Sequence, residues 1–260
     1  MSTTAPSPWL KRIGGPPQAE GGTPELVCFP HSGGAASWYR PLAAELGDDI
    51  LTFAVQYPGR QERHDEPAVT DLHELADRTA EALLNTDTGV PRIFFGHSMG
   101  AILAYEVAQR LGERGPAALL ASGRPAPDRV RLTTSYLLDD AKLVEQISWL
   151  GGTTKELLGN PEMRSLLLPV IRSDYQASET YRPRPDSGPL GCPLIALGGD
   201  EDPVAPLEDV QGWSRHTTGP FRLELLPGGH FYLLDHWAAV AGLVRAGVRP
   251  LAAAPGNLPK

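Results

Sequence analysis

The chain has 260 residues, 41% of them hydrophobic, and a formal net charge of −8. That length suits one domain, or one domain carrying an insertion, and the composition supports a substantial core. No apolar run approaches the roughly 18 residues of a membrane span, and the acidic balance argues against nucleic acid as a partner. Two cysteines, Cys28 and Cys192, make neither a disulfide framework nor a zinc site. The seven histidines show neither H-x-x-x-H nor cysteine-paired spacing, so no metal and no cofactor is expected.

Residues 1–23 are rich in Pro, Gly, Ser and Thr and lack the apolar stretch of a secretory signal, so they read as a flexible lead-in to a cytoplasmic protein. Glu25–Phe29 reads as a strand, Trp38–Leu46 as a short helix and Ile50–Val55 as a second strand. Leu72–Leu84 carries apolar residues at helical spacing, with Asp71 placed to cap it and Glu74 as the reciprocal partner. Pro91–Phe95 is a strand, Ala101–Arg110 a helix, and Ala117–Ala121, Pro193–Leu197 and Arg222–Leu226 are further strands. Strands alternating with helices imply an α/β fold with a mostly parallel central sheet covered on both faces. The domain is expected over 24–248, and the Pro/Ala-rich residues 249–260 as a loose tail.

One connection is too long. About seventy residues separate the strand ending near Ser122 from the one starting near Pro193, where a plain crossover needs roughly a dozen. Asp139–Leu150 and Pro161–Tyr181 have helical spacing, and Gly123–Pro127 and Arg182–Pro185 bracket them like hinges. Residues 124–186 therefore read as an inserted helical lid at the carboxyl ends of the strands, where open α/β sheets bind ligands. Trp149, Tyr175 and Tyr181 are candidates to line a channel beneath it or to serve as ordinary core.

The segment Gly96-His97-Ser98-Met99-Gly100 sits between the strand and the helix of residues 91–110. A G-x-S-x-G turn between strand and helix is the nucleophile elbow of an α/β-hydrolase fold, in which glycines let strand and helix approach while Ser98 is held exposed. A serine hydroxyl needs a base, and this fold supplies acid and then histidine further along the chain. His230, in Gly228-Gly229-His230-Phe231 after a strand, is the expected base. His31 and His97 lie too early, and His73, His216 and His236 fall on helices or in a polar segment. Asp200, Glu201 and Asp202 follow another strand, and one of them should orient His230. The G-D-x-D-P-V-x-P pattern resembles hydrolases in which the second aspartate faces the histidine, which favours Asp202, with Asp200 the alternative. Oxyanion donors are expected at the Met99 N–H, at the head of its helix, and in the loop Phe29–Ala35, with Ser32 N–H first and Gly33 next.

Together, Cys28–Gly34, the segment Gln56-Tyr57-Pro58-Gly59-Arg60-Gln61-Glu62-Arg63, the elbow and Gly228–Leu233 resemble the type II thioesterases that accompany polyketide synthases and nonribosomal peptide synthetases. The match runs over about residues 25–246, and Y-P-G-R is its most specific part. Ser32 stands where the family more often has alanine, a change that leaves the backbone donor in place. The resemblance implies an editing enzyme of antibiotic-type pathways. It hydrolyses aberrant acyl groups from the phosphopantetheine arm of an acyl or peptidyl carrier protein, through an acyl-Ser98 intermediate. The partner is then acidic like this chain, so attraction must be local. Arg124, Arg129 and Arg131 at the lid entrance and Arg182 and Arg184 at its exit are a candidate docking patch, or solvated surface charge. Arg60 and Arg63 are expected to brace a loop through Glu62, Asp65 or Glu66. A general serine esterase on oxygen esters and a release-type, macrocyclising thioesterase are the alternatives. Starting at its own Met1 without a carrier remnant, the chain reads as a discrete protein, expected as a monomer.

Overall fold

The computed structural model describes residues 7–17, 22–86, 89–129, 133–151 and 158–252, with side chains of the last helix described to 247. Among the described residues seven strands form one sheet: β1 (Leu10–Gly14), β2 (Glu25–Phe29), β3 (Leu51–Val55), β4 (Arg92–His97), β5 (Ala118–Ser122), β6 (Leu194–Gly199) and β7 (Phe221–Leu226). Their order is β1-β3-β2-β4-β5-β6-β7. All neighbours are parallel except β1 and β3.

β1 corrects the reading of residues 1–23 as a lead-in. Leu10 pairs with Val55 and Lys11 with Ala54, so this segment is an antiparallel edge of the sheet. An edge strand bonds on one side only and tolerates Lys11 and Arg12, so it lacks the apolar run that marks an interior strand. Gly14 passes close to the next layer, since a Cβ there would lie 2.7 Å from the Ala43 Cβ.

The interior strands are mostly apolar because both faces are covered. Successive residues divide between two cores. Val27, Phe29, Phe94, Leu119, Ala121, Leu194 and Ala196 face one side; Leu26, Cys28, Ile93, Phe95, Leu120, Ile195 and Leu197 face the other. Helices α2 (Leu72–Asn85) and α3 (Met99–Leu111) cover the first face. Helices α1 (Arg40–Leu46) and α7 (Trp237–Ala252) contribute Leu42, Leu46, Val240 and Val244 to the second. Asp71 caps α2 by accepting the Glu74 N–H at 3.0 Å, whereas the Glu74 carboxylate turns to Arg78 on the next turn.

Between β5 and β6 lies the helical insertion, with α4 (Asp140–Leu150) and α5 (Pro161–Thr180); a short α6 (Leu207–Gln211) follows β6. Asp139 caps α4 through the Lys142 N–H, and Asn160 caps α5 through the Glu162 N–H. Leu143, Ile147, Leu168 and Ile171 form a small core of their own. The far end of α5 belongs to the main domain: Ala177 and Tyr181 join its core, and the Tyr181 hydroxyl donates to Glu106 Oε1 on α3 at 2.8 Å. The insertion is thus a separately packed cap anchored at one end. The free thiols Cys28 and Cys192 form no disulfide.

Candidate active site

The elbow is tight enough to explain its glycines. A Cβ at Gly96 would lie 2.1 Å from the Gly100 carbonyl oxygen, and one at Gly100 would lie 1.9 Å from that of Phe29. No side chain fits at either place. Ser98 between them has φ 55° and ψ −121°, a left-handed conformation costly for a residue with a Cβ. It is held there by its N–H, which donates to the Ser122 carbonyl at 2.8 Å.

Ser98, Asp202 and His230 converge beyond the carboxyl ends of β4, β6 and β7. Ser98 Oγ lies 3.0 Å from His230 Nε2, and His230 Nδ1 lies 2.8 Å from Asp202 Oδ2. The other oxygen of Asp202 accepts the Val204 and Ala205 N–H groups at 2.9 and 3.3 Å, which fixes the carboxylate. Asp200 points elsewhere: it is exposed and accepts the Gly228 N–H at 2.8 Å, bracing the turn that carries His230. Gly199 allows that turn to close on β6, since a Cβ there would lie 2.3 Å from the Gly228 carbonyl oxygen.

The histidines near His230 stay neutral. Burial pulls His31 down to about 3, helped by the charges of His230 and Arg60. Burial, followed by His230 and His31, holds His97 well below the ordinary histidine range. His97 Nδ1 is 2.9 Å from Ser122 Oγ, which is 2.7 Å from the Tyr232 hydroxyl, so a buried polar chain orients its ring. Trp38 stacks on His97 with ring centres 5.8 Å apart.

The loop after β2 is held from three sides. The Tyr39 and Tyr57 hydroxyls donate to the Phe29 and Pro30 carbonyls at 2.9 and 3.0 Å. The Gly33 N–H donates to Asp174 Oδ2 of α5 at 2.7 Å, so Gly33 is not free to serve as an oxyanion donor. Among the described residues the N–H groups of Ser32 and Met99 have no hydrogen-bond partner. Met99 opens α3, where the helix dipole favours negative charge.

A cavity of about 300 Å³ opens onto Ser98 and His230. Ser32 and Arg124 line it from the sheet side, and Ile147, Ile171, Tyr175 and Glu179 from the insertion.

The sequence matches the family model of the thioesterase domain over residues 24–247. The chain belongs to the thioesterase family. It is 44% identical, over 95% of its length and 68% of the relative's, to a probable cadicidin biosynthesis thioesterase of Streptomyces griseus. It is 43% identical to the thioesterase PikA5 of Streptomyces venezuelae, over 88% of this chain and 81% of that one. The solved structure of BorB, a type II thioesterase from the borrelidin biosynthetic cluster, superposes with a TM-score of 0.85 at 42% identity. That match covers 95% of this chain and all of BorB. The protein is therefore an enzyme that hydrolyses thioesters on an α/β-hydrolase fold.

Other expectations for this thioesterase need correction. Its arginines do not gather at one mouth. Arg124 lines the cavity, and its guanidinium donates to the Ser178 carbonyl on α5. Arg182 and Arg184 lie over α2, where His73 contacts the Arg182 carbonyl and Asp77 lies 3.6 Å from Arg184. Arg129 is exposed, and Arg131 lies outside the described residues. Of the three aromatic candidates only Tyr175 lines the cavity; Tyr181 is core and Trp149 is 67% exposed. Arg63 does pair with Glu66, but Arg60 pairs with Asp174, a residue that local spacing did not suggest.

Among the described residues no cluster of His, Cys, Asp and Glu is arranged to hold a metal, and no helix is long and apolar enough to cross a membrane.

Proposed function

We propose that this thioesterase removes acyl groups from the phosphopantetheine arm of carrier proteins serving a polyketide or nonribosomal peptide assembly line, with Ser98 as nucleophile. One observation carries the reading. The Ser98–His230–Asp202 line opens on the cavity in a chain that matches BorB over its full length at 42% identity.

The geometry supports the following steps. His230 Nε2 takes the Ser98 proton as Oγ attacks the thioester carbonyl carbon. Asp202 holds the Nδ1–H and stabilises the imidazolium. The carbonyl oxygen, now negative, receives the N–H groups of Ser32 and Met99. Collapse breaks the carbon–sulfur bond; the thiolate leaves and takes the proton from His230. Water then enters and adds to the acyl carbon as His230 removes its proton, and the second tetrahedral intermediate collapses to carboxylic acid as Ser98 Oγ leaves and takes the proton back from His230. A thiolate leaves readily, so the acid step is less demanding than in amide cleavage. The acyl chain lies in the cavity beneath α4 and α5.

The test is steady-state hydrolysis of one short acyl group in three contexts: on a phosphopantetheinylated carrier protein, on a small thiol and as an oxygen ester. A higher kcat/KM for the carrier-bound thioester is expected. Equal or better hydrolysis of the oxygen ester would move the protein to the general esterases.

A further inference from the structure

The Y-P-G-R segment takes no part in the steps above, yet its Tyr57 and Arg60 are buried against the loop that supplies Ser32. Arg60 and Asp174 expose only 7% and 1% of their side chains. The guanidinium reaches both carboxylate oxygens, Nη1 to Oδ2 at 2.7 Å and Nη2 to Oδ1 at 2.8 Å. The same Nη1 donates to the Gly34 carbonyl at 2.8 Å. Asp174 Oδ2 in turn accepts the Gly33 N–H. One ion pair therefore holds two peptide units of the loop after β2, accepting the Gly33 N–H and donating to the Gly34 carbonyl.

The partner of Arg60 belongs to the insertion, not to the sheet. α5 also presses Ile171 onto the loop: a Cβ at Gly33 would lie 2.7 Å from Ile171 Cγ1, and Gly33 has φ +78°. On the other side, Gln56 Oε1 accepts the Ala36 N–H at 2.8 Å, while the Arg63 guanidinium holds the Gln56 carbonyl at 2.7 Å. The Q-Y-P-G-R-x-x-R segment thus encloses the loop from below and α5 closes it from above. The Gly33 N–H is taken by Asp174, while Ser32, which lines the cavity, has an N–H with no hydrogen-bond partner among the described residues.

We infer that Arg60 and Asp174 are positioning residues that tie the seating of the lid to the shape of the oxyanion hole. When α5 is docked, the ion pair fixes the Gly33–Gly34 peptides and so the Ser32 N–H. When α5 lifts, Arg60 loses its carboxylate, the Gly33 N–H loses its acceptor, and the hole loosens. This rests on Ser32 N–H being an oxyanion donor in the serine mechanism above.

The experiment compares Asp174→Asn, Arg60→Lys and the paired variant Arg60→Met/Asp174→Leu with wild type on a small acyl thioester. Reactive sites are counted by titration with a fluorophosphonate, and thermal unfolding is recorded in parallel. Asp174→Asn breaks the charge pair, and a lysine cannot hold both carboxylate oxygens and the Gly34 carbonyl at once. The paired variant leaves no orphan charge, so it separates folding from positioning. The expected result is a kcat per titrated site lowered by about 10²-fold in Asp174→Asn and the paired variant, the scale of one lost oxyanion donor. Arg60→Lys should lose about tenfold, and KM and the acidic limb of the pH–rate profile should hold because His230 is untouched. A folded paired variant, or Arg60→Lys if the pair fails to fold, with kcat per site within about twofold of wild type would overturn the inference. Ser98→Ala runs alongside: if it keeps turnover, the serine mechanism fails, whatever the ion pair does.

Discussion

The imidazole of His97 lies 5.1 Å from that of His230, ring centre to ring centre, and forms the wall behind the proposed base. Gly123 closes that wall. A Cβ at 123 would lie 2.5 Å from His97 Cε1 and 3.6 Å from His230 Cε1, and the residue has φ +59°. Gly123→Ala must displace the His97 ring or the backbone at 123. Because small misplacements of a catalytic group cost about 10²-fold, kcat is expected to fall on that order while far-ultraviolet circular dichroism stays native. Full kcat in the folded variant would show that His97 does not set the position of His230.

The two aspartates after β6 make different contacts and should behave differently. Asp202→Asn disturbs the acceptor of the His230 Nδ1–H, and a loss of about 10³- to 10⁴-fold in kcat is expected. Asp200→Asn only weakens a brace on the Gly228 turn and should cost less than about tenfold. Steady-state kinetics on both variants decide this, and the reverse order would make Asp200 the acid.

Stability should fall in mild acid because of His31. Burial keeps its folded pKa at about 3, against 6.5 for the free side chain. Between those values the unfolded chain binds a proton that the folded chain refuses, so stability rises with pH across that window. The contribution is fully present above pH 6.5 and is lost as pH falls toward 3. From pH 7 to pH 5 one such group removes about 2 kcal/mol. Urea unfolding of wild type and His31→Gln at both pH values should show that the variant loses less stability by about this amount. Parallel losses would mean that His31 is protonated in the folded protein.

Arg124 is a cation lining the cavity. Burial pulls it down to about 10, against weaker opposing effects of Tyr181 and Glu179, and its buried Nε has no hydrogen-bond partner among the described residues. Arg124→Met should leave the Kd of an unacylated carrier protein within about twofold, since a distant site adds little, yet alter the ranking of acyl groups. Isothermal titration and a panel of acyl thioesters measure the two effects. A tenfold loss of carrier affinity would restore Arg124 to the docking surface.

How much of this was legible in the chain depends on distance along it. The elbow was legible because its G-x-S-x-G pattern is local, although only Gly96 is required by contacts within the strand–turn–helix unit, Gly100 being required by the Phe29 carbonyl of β2. Parallel strands were legible because burial on both faces leaves continuous apolar runs. The choice between Asp200 and Asp202 was only half legible, since which side of a turn a carboxylate takes is decided by the Gly228 loop opposite. β1 was missed because an edge strand with Lys11 and Arg12 carries no such run. The Arg60–Asp174 pair joins residues 114 apart, and no spacing rule reaches that far. The arginine patch failed for a related reason: residues near a hinge in sequence lie over α2 once α5 turns the chain away.

The most direct test is to mix the enzyme with an acyl-phosphopantetheinyl carrier protein, quench within one turnover and map the acyl group by peptide mass spectrometry. Acyl mass on the peptide containing Ser98, with release of one free-thiol carrier for each acyl-enzyme formed, is the predicted result. Acyl mass on another residue, or hydrolysis that persists in Ser98→Ala, would contradict it.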